Sequence, residues 1–151
     1  MDHAFDIALR LSVATLLGVL IGLNRDLQGK PTGVRTMGLV CLGSALIVVA
    51  AALVGGPGDA TRAVQGIITG VGFLGSGVII KSDSSSRIHG LTTAATVWLT
   101  AAMGITCGLG HWRLALLATA LSFVVLVFGG RFEKAVHRRW PHIPNDSQPP
   151  S

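Results

Sequence analysis

Charge is what this chain of 151 residues has least of. Only 13% is Asp, Glu, Lys or Arg, about half the ~25% usual in a soluble domain. Hydrophobic residues make up 50%. A soluble globule needs a charged surface, and these charges are too few to build one. The chain reads as an integral membrane protein. Cysteine is scarce as well. Cys41 and Cys107 lie in separate apolar runs without Cys-x-x-Cys spacing, so they read as small buried hydrophobes rather than a zinc or disulfide pair. Ionisable groups within the apolar runs would mark a transport or proton path, and Arg10 near an end is the single instance. That scarcity counts against a proton-coupled carrier. No nucleophile–base pair, metal-ligand cluster or usable phosphate loop is visible, so no catalytic centre, metal or cofactor is expected. A cleavable signal peptide is not apparent, nor is an internal or inverted repeat.

Long hydrophobic runs fill the space left by these absences. Crossing ~30 Å of hydrocarbon takes about 20 helical residues. Five stretches qualify, at about 7–23, 34–54, 63–80, 91–109 and 114–128. They predict an all-α, five-helix transmembrane bundle over 1–130. A short basic, Pro-rich tail follows at 131–151, with no soluble C-terminal domain. Twelve basic residues oppose seven acidic ones. The basic residues are strung between apolar stretches, which favours a bilayer over nucleic acid as the partner. Arg25, Lys30, Arg35, Lys81, Arg87, Arg131, Lys134, Arg138 and Arg139 fall on one side of the spans, nine in all, against Arg62 and Arg113 on the other. By the positive-inside rule the N-terminus is outside and the C-terminus cytoplasmic.

Gly70-Val71-Gly72-Phe73-Leu74-Gly75 matches the dinucleotide fingerprint, but no strand precedes it and no acidic residue of a βαβ unit follows ~20 residues on. Helix packing is the favoured reading. Gly66, Gly70, Gly72, Gly75 and Gly77 crowd the third span. Thr92, Thr96, Thr100, Gly104 and Gly108 recur every four residues in the fourth, as do Ala14, Gly18 and Gly22 in the first. Small residues let helix backbones approach closely where lipid supplies no hydrophobic drive. Two alternatives stay open: the threonine ridge as a polar path for an ion, and the third span as a broken transporter helix. A polar cluster remains at the expected cytoplasmic face, with Asn24, Arg25 and Asp26 closing the first span and Arg35 and Thr36 opening the second. It reads either as topology signals and headgroup contacts or as an ion-pair network of Arg25, Asp26 and Arg35 that docks a partner or an anion.

These segments resemble the MgtC/SapB family of bacterial inner-membrane proteins. The resemblance is carried by Ile21-Gly22-Leu23-Asn24-Arg25, Gly33-Val34-Arg35-Thr36, Gly70 to Ile79, Gly90 to Trp98 and Gly104 to Gly110, covering roughly residues 14 to 113. It implies a five-span domain and a regulatory part in growth under low magnesium. In a pathogen it implies survival inside phagocytes. It further implies modulation of membrane energetics, including restraint of the ATP synthase as a membrane partner. A homo-oligomer and a small cation transporter or channel remain alternatives. Three departures from the family pattern are expected to matter: Asn24 where Glu is usual, Thr92 and Leu99 where some virulence-linked members carry Asn and Cys, and the absence of those members' soluble C-terminal domain; Gln65 also lies one place from the family's Gln.

Overall fold

The computed structural model describes residues 2–56, 58–81 and 88–139. Five helices account for nearly all of it: α1 (Asp2–Leu27), α2 (Val34–Val54), α3 (Asp59–Val78), α4 (Leu91–Gly108) and α5 (Trp112–Arg139). The fold is the expected all-α bundle of five helices. Two-residue strands, β1 (Ile80–Lys81) and β2 (Ile88–His89), pair antiparallel between α3 and α4, with Ile80 opposite His89. Residues 82–87, with Asp83 and Arg87, and the tail from 140 lie outside the described residues.

Glycine sets the helix spacing. A Cβ on Gly18 would stand 2.8 Å from the Cys41 Cβ, and one on Gly22 2.6 Å from the Val34 Cα, so α1 and α2 cross backbone to backbone. From α4, Gly104 abuts Cys41 and Ser44 of α2, and Gly108 abuts Ala45 and Val48. The Thr100 Oγ1 lies 3.4 Å from the Met37 Sδ. These contacts make α1 antiparallel to α2, and α4 parallel to it. Met37, Cys41, Ala45 and Val48 of α2 are fully buried between the two. Close approach of small residues thus replaces the large interlocking side chains of a soluble core.

Since α2 and α4 run the same way, α3 must carry the chain back along the height of the bundle. At ~1.5 Å per residue its 20 residues are long enough. Gly75, near its C-terminal end, meets Ala94 in the first turns of α4. At the following turn Gly90 (φ +95°) sits so close to the Val78 carbonyl that no side chain fits there. Four helical segments, His3–Leu27, Val34–Val54, Leu91–Gly108 and Trp112–Gly130, are long and apolar enough among the described residues to cross a membrane. α3 is not among them, because Arg62, Gln65 and its glycines dilute its hydropathy. The outward surfaces carry Leu16, Leu20, Leu39, Leu117, Leu121 and Phe128, all at least 47% exposed. Apolar exposure on that scale belongs against lipid.

Arg10 is accommodated by partners rather than by reaching out alone. It pairs with Asp6 at 2.6 Å and donates to the Gly108 carbonyl at 3.1 Å. That places a cation at the C-terminal end of α4, where the helix dipole favours it.

Candidate functional site

The predicted polar cluster falls at one end of the bundle, where α1 ends and α2 and α4 begin. Within it the structure separates residues that the sequence placed together. Arg25 is buried, 2% exposed, whereas Asp26, Arg35 and Thr36 are exposed and Asn24 is half-buried. The Arg25 Nη2 donates to the Thr93 Oγ1. Its Nε has no acceptor among the described residues. Thr93 was not singled out from the sequence. The available signal was that a basic residue in the last apolar turn of α1 needs a polar partner on a facing helix.

Asp26 does not join an ion pair. Its Oδ2 accepts the Val34 N–H at 3.0 Å, which satisfies one of the free amides at the start of α2. Gly33, the residue before Val34, has no side-chain cap of its own. A Cβ there would collide with the Asp26 carboxylate. The expected network of Arg25, Asp26 and Arg35 is therefore corrected. The ion pairs among the described residues are Asp6–Arg10 and Asp59–Arg62. The ~100° step between consecutive helical residues turns Arg25 inward to α4 and Asp26 outward to cap α2. Asn24 accepts a hydrogen bond from the Gln28 side chain, which keeps it on α1.

The glycine expectation divides. Gly104 and Gly108 lie at the close crossing with α2, and a Cβ on Gly75 would stand 3.6 Å from the Ala94 Cβ. Nothing lies within 4 Å of a Cβ on Gly66, Gly70, Gly72 or Gly77. Contact of these four with a neighbouring helix of the same chain is corrected. α3 packs through Ile67, Val71 and Gly75, and the other glycines point away from that face.

The threonine ridge divides too. Thr92 is exposed, and Thr96 and Thr100 are buried. Thr96 donates to the Thr92 carbonyl at 2.7 Å and Thr100 to the Thr96 carbonyl at 2.8 Å. Such back-bonding spends the hydroxyl hydrogens within the helix. All three line a cleft between α4 and α5, and so does Leu99. No group of three or more His, Cys, Asp or Glu that could hold a metal occurs among the described residues.

Close helix crossings, lipid-facing apolar surfaces and a buried arginine at one end define a multi-pass membrane bundle. The chain belongs to the MgtC family, whose model matches residues 11–135. It is 42% identical over 134 residues to Protein SrpB of Synechococcus elongatus, covering 80% of this chain and 72% of that protein. It is 44% identical over 117 residues to Protein MgtC of Brucella abortus, covering 78% and 48%. Against Protein MgtC of Salmonella typhimurium the figures are 40% over 117 residues, 78% and 49%. The chain spans about half the length of these two MgtC relatives. No solved structure matches.

Proposed function

We propose that this chain is a regulator in the bacterial inner membrane, without catalytic activity, that supports adaptation to low magnesium. In a pathogen the same role serves survival within the host. It acts by binding a membrane complex, the ATP synthase being the candidate that family resemblance suggests. The N-terminus is outside and the C-terminus cytoplasmic, supported by the nine-to-two basic asymmetry. On that orientation the exposed Arg35 and Thr36 face the cytoplasm and meet the partner, while Arg25 behind them ties α1 to α4.

The observation that carries this reading is the make-up of the buried polar set. Among the described residues it consists of Arg25, Ser44, Thr93, Thr96, Thr100, Thr119 and Ser122. No carboxylate is among them. Mg²⁺ sheds water reluctantly and is normally held through at least one carboxylate, so this core is poorly suited to moving it. Binding a partner needs no such ligands.

The test is growth of a deletion strain at limiting magnesium, with abundance followed in the membrane fraction. Arg25→Ala and Arg35→Ala should each abolish growth support at unchanged abundance. A tagged chain should co-purify the partner from membranes of magnesium-starved cells, and the Arg35→Ala chain should not. Full growth support by both arginine variants would reject the docking face.

A further inference from the structure

The cleft between α4 and α5 has a volume of about 360 Å³ and is backed by Ile21 of α1. Its α4 wall runs from Thr92 to Met103, a rise of ~16 Å at ~1.5 Å per residue. One leaflet of hydrocarbon is about 15 Å, half of the ~30 Å core. The walls are largely apolar, with Leu99 from α4 and Leu121 and Val125 from α5 among the lining residues. Three of the four hydroxyls in them already donate to their own helices, Ser122 to the Ala118 carbonyl at 2.6 Å like Thr96 and Thr100 before it. An apolar slot of leaflet depth, open to the side, suits a hydrocarbon chain and has little to offer a hydrated ion.

Arg25 lies just beyond the lining of this slot, past its Thr92 end. It follows Ile21 by four residues, one turn further along the same face of α1. Its hydroxyl partner Thr93 is next to the lining residue Thr92. The guanidinium has an unused Nε, and no carboxylate pairs with it among the described residues. A buried cation in that condition is poorly compensated. Basic pockets between membrane helices bind anionic headgroups.

We infer that the α4–α5 cleft and Arg25 form a site for an anionic phospholipid, with an acyl chain in the cleft and the phosphate on the Arg25 guanidinium. Only 2% of Arg25 is exposed, so the guanidinium turns from Thr93 toward the mouth of the cleft as the phosphate arrives. A charged phosphate is a stronger acceptor than the neutral hydroxyl it replaces, and a bidentate one.

The experiment is native mass spectrometry of the full chain in neutral detergent. It is equilibrated with phosphatidylglycerol or phosphatidylcholine of identical acyl chains, or with inorganic phosphate. Phosphatidylglycerol should be retained about fivefold more than phosphatidylcholine, the preference one basic residue gives near an anionic headgroup. Arg25→Gln should bring that ratio to about one. Thr93→Ala should leave it at about fivefold, since the hydroxyl only parks the guanidinium. Ala95→Trp, on the exposed wall of the cleft, should lose both lipids and needs no change at Arg25. Equal retention of the two lipids by the wild-type chain would overturn the charge assignment. So would a ratio unchanged in Arg25→Gln. Undiminished retention in Ala95→Trp would overturn the cleft, and phosphate competing off the bound lipid would show a free-anion site instead.

Discussion

Gly104→Ala is the sharpest probe of how this bundle holds together. A methyl group placed there meets the Cys41 carbonyl and stands 2.8 Å from the Ser44 Cβ and 3.0 Å from the Cys41 carbonyl carbon. Two of the three obstacles are backbone atoms, which cannot swing aside as a flexible side chain would. α2 and α4 must separate to admit the methyl, and that loosens the contacts of Met37, Ala45 and Val48 as well. Overpacking of this kind costs about 1–3 kcal/mol. At about 2–4 °C per kcal/mol for a chain of this size, the melting temperature should fall by roughly 2–12 °C. Gly70→Ala is the internal control. Its Cβ meets no atom within 4 Å, and alanine is the better helix former by up to ~1 kcal/mol. The assay is thermal unfolding of purified protein in detergent, followed by fluorescence of Trp98 and Trp112. If Gly104→Ala melts like wild type, or Gly70→Ala falls as far, close crossing of α2 and α4 is not what stabilises the fold.

Three further outcomes are expected. Gly33→Ala should displace the Asp26 carboxylate from the Val34 amide and cost about 1 kcal/mol, the value of a helix N-cap, read as a lower melting temperature that Asp26→Ala reproduces without adding to it. Asp59 sits before the 63–80 segment, and Arg62 first, then the Gly56 amide, hold its carboxyl below the usual carboxylate range. A depressed folded value stabilises above the unfolded pKa of ~3.9 and is lost as pH falls through the folded one; Asp59→Asn should therefore flatten the stability profile below about pH 4, and an unchanged acid limb would contradict the assignment. A cysteine at Gly56 should react with a membrane-impermeant thiol reagent applied outside intact cells, while one at Lys30 should react only after permeabilisation. The native Cys41 and Cys107 are buried and give little background; the reverse pattern would invert the orientation.

Hydropathy reveals the helices because a membrane span needs a long uncharged run, and few other structures need one. α2 occupies 34–54. Spacing at four residues also pointed to the right crossings in α1 and α4, since Gly18, Gly22, Gly104 and Gly108 recur on one helix face. It misled in α3. Glycine density says that a helix is able to approach a neighbour closely, but not that a neighbour is there, and Gly66, Gly70 and Gly77 face away from the bundle. The site was legible only as a location. Consecutive residues on a helix point about 100° apart, so Arg25 and Asp26 part company however close they stand in sequence. Thr93 enters through a contact 68 residues distant, which no local pattern encodes. The α4–α5 cleft depends on where two helices diverge, and apolar periodicity carries no record of that.

Purified protein reconstituted into liposomes with an internal Mg²⁺ indicator tests most directly whether this bundle regulates or transports. With hydroxyls already bonded within α4 and no carboxylate buried in the described core, Mg²⁺ entry should stay at the protein-free leak at every external concentration. Saturable Mg²⁺ flux, lost in Thr96→Val or Thr100→Val but kept in Arg25→Ala and Arg35→Ala, would contradict the regulatory reading and make the threonine ridge an ion path.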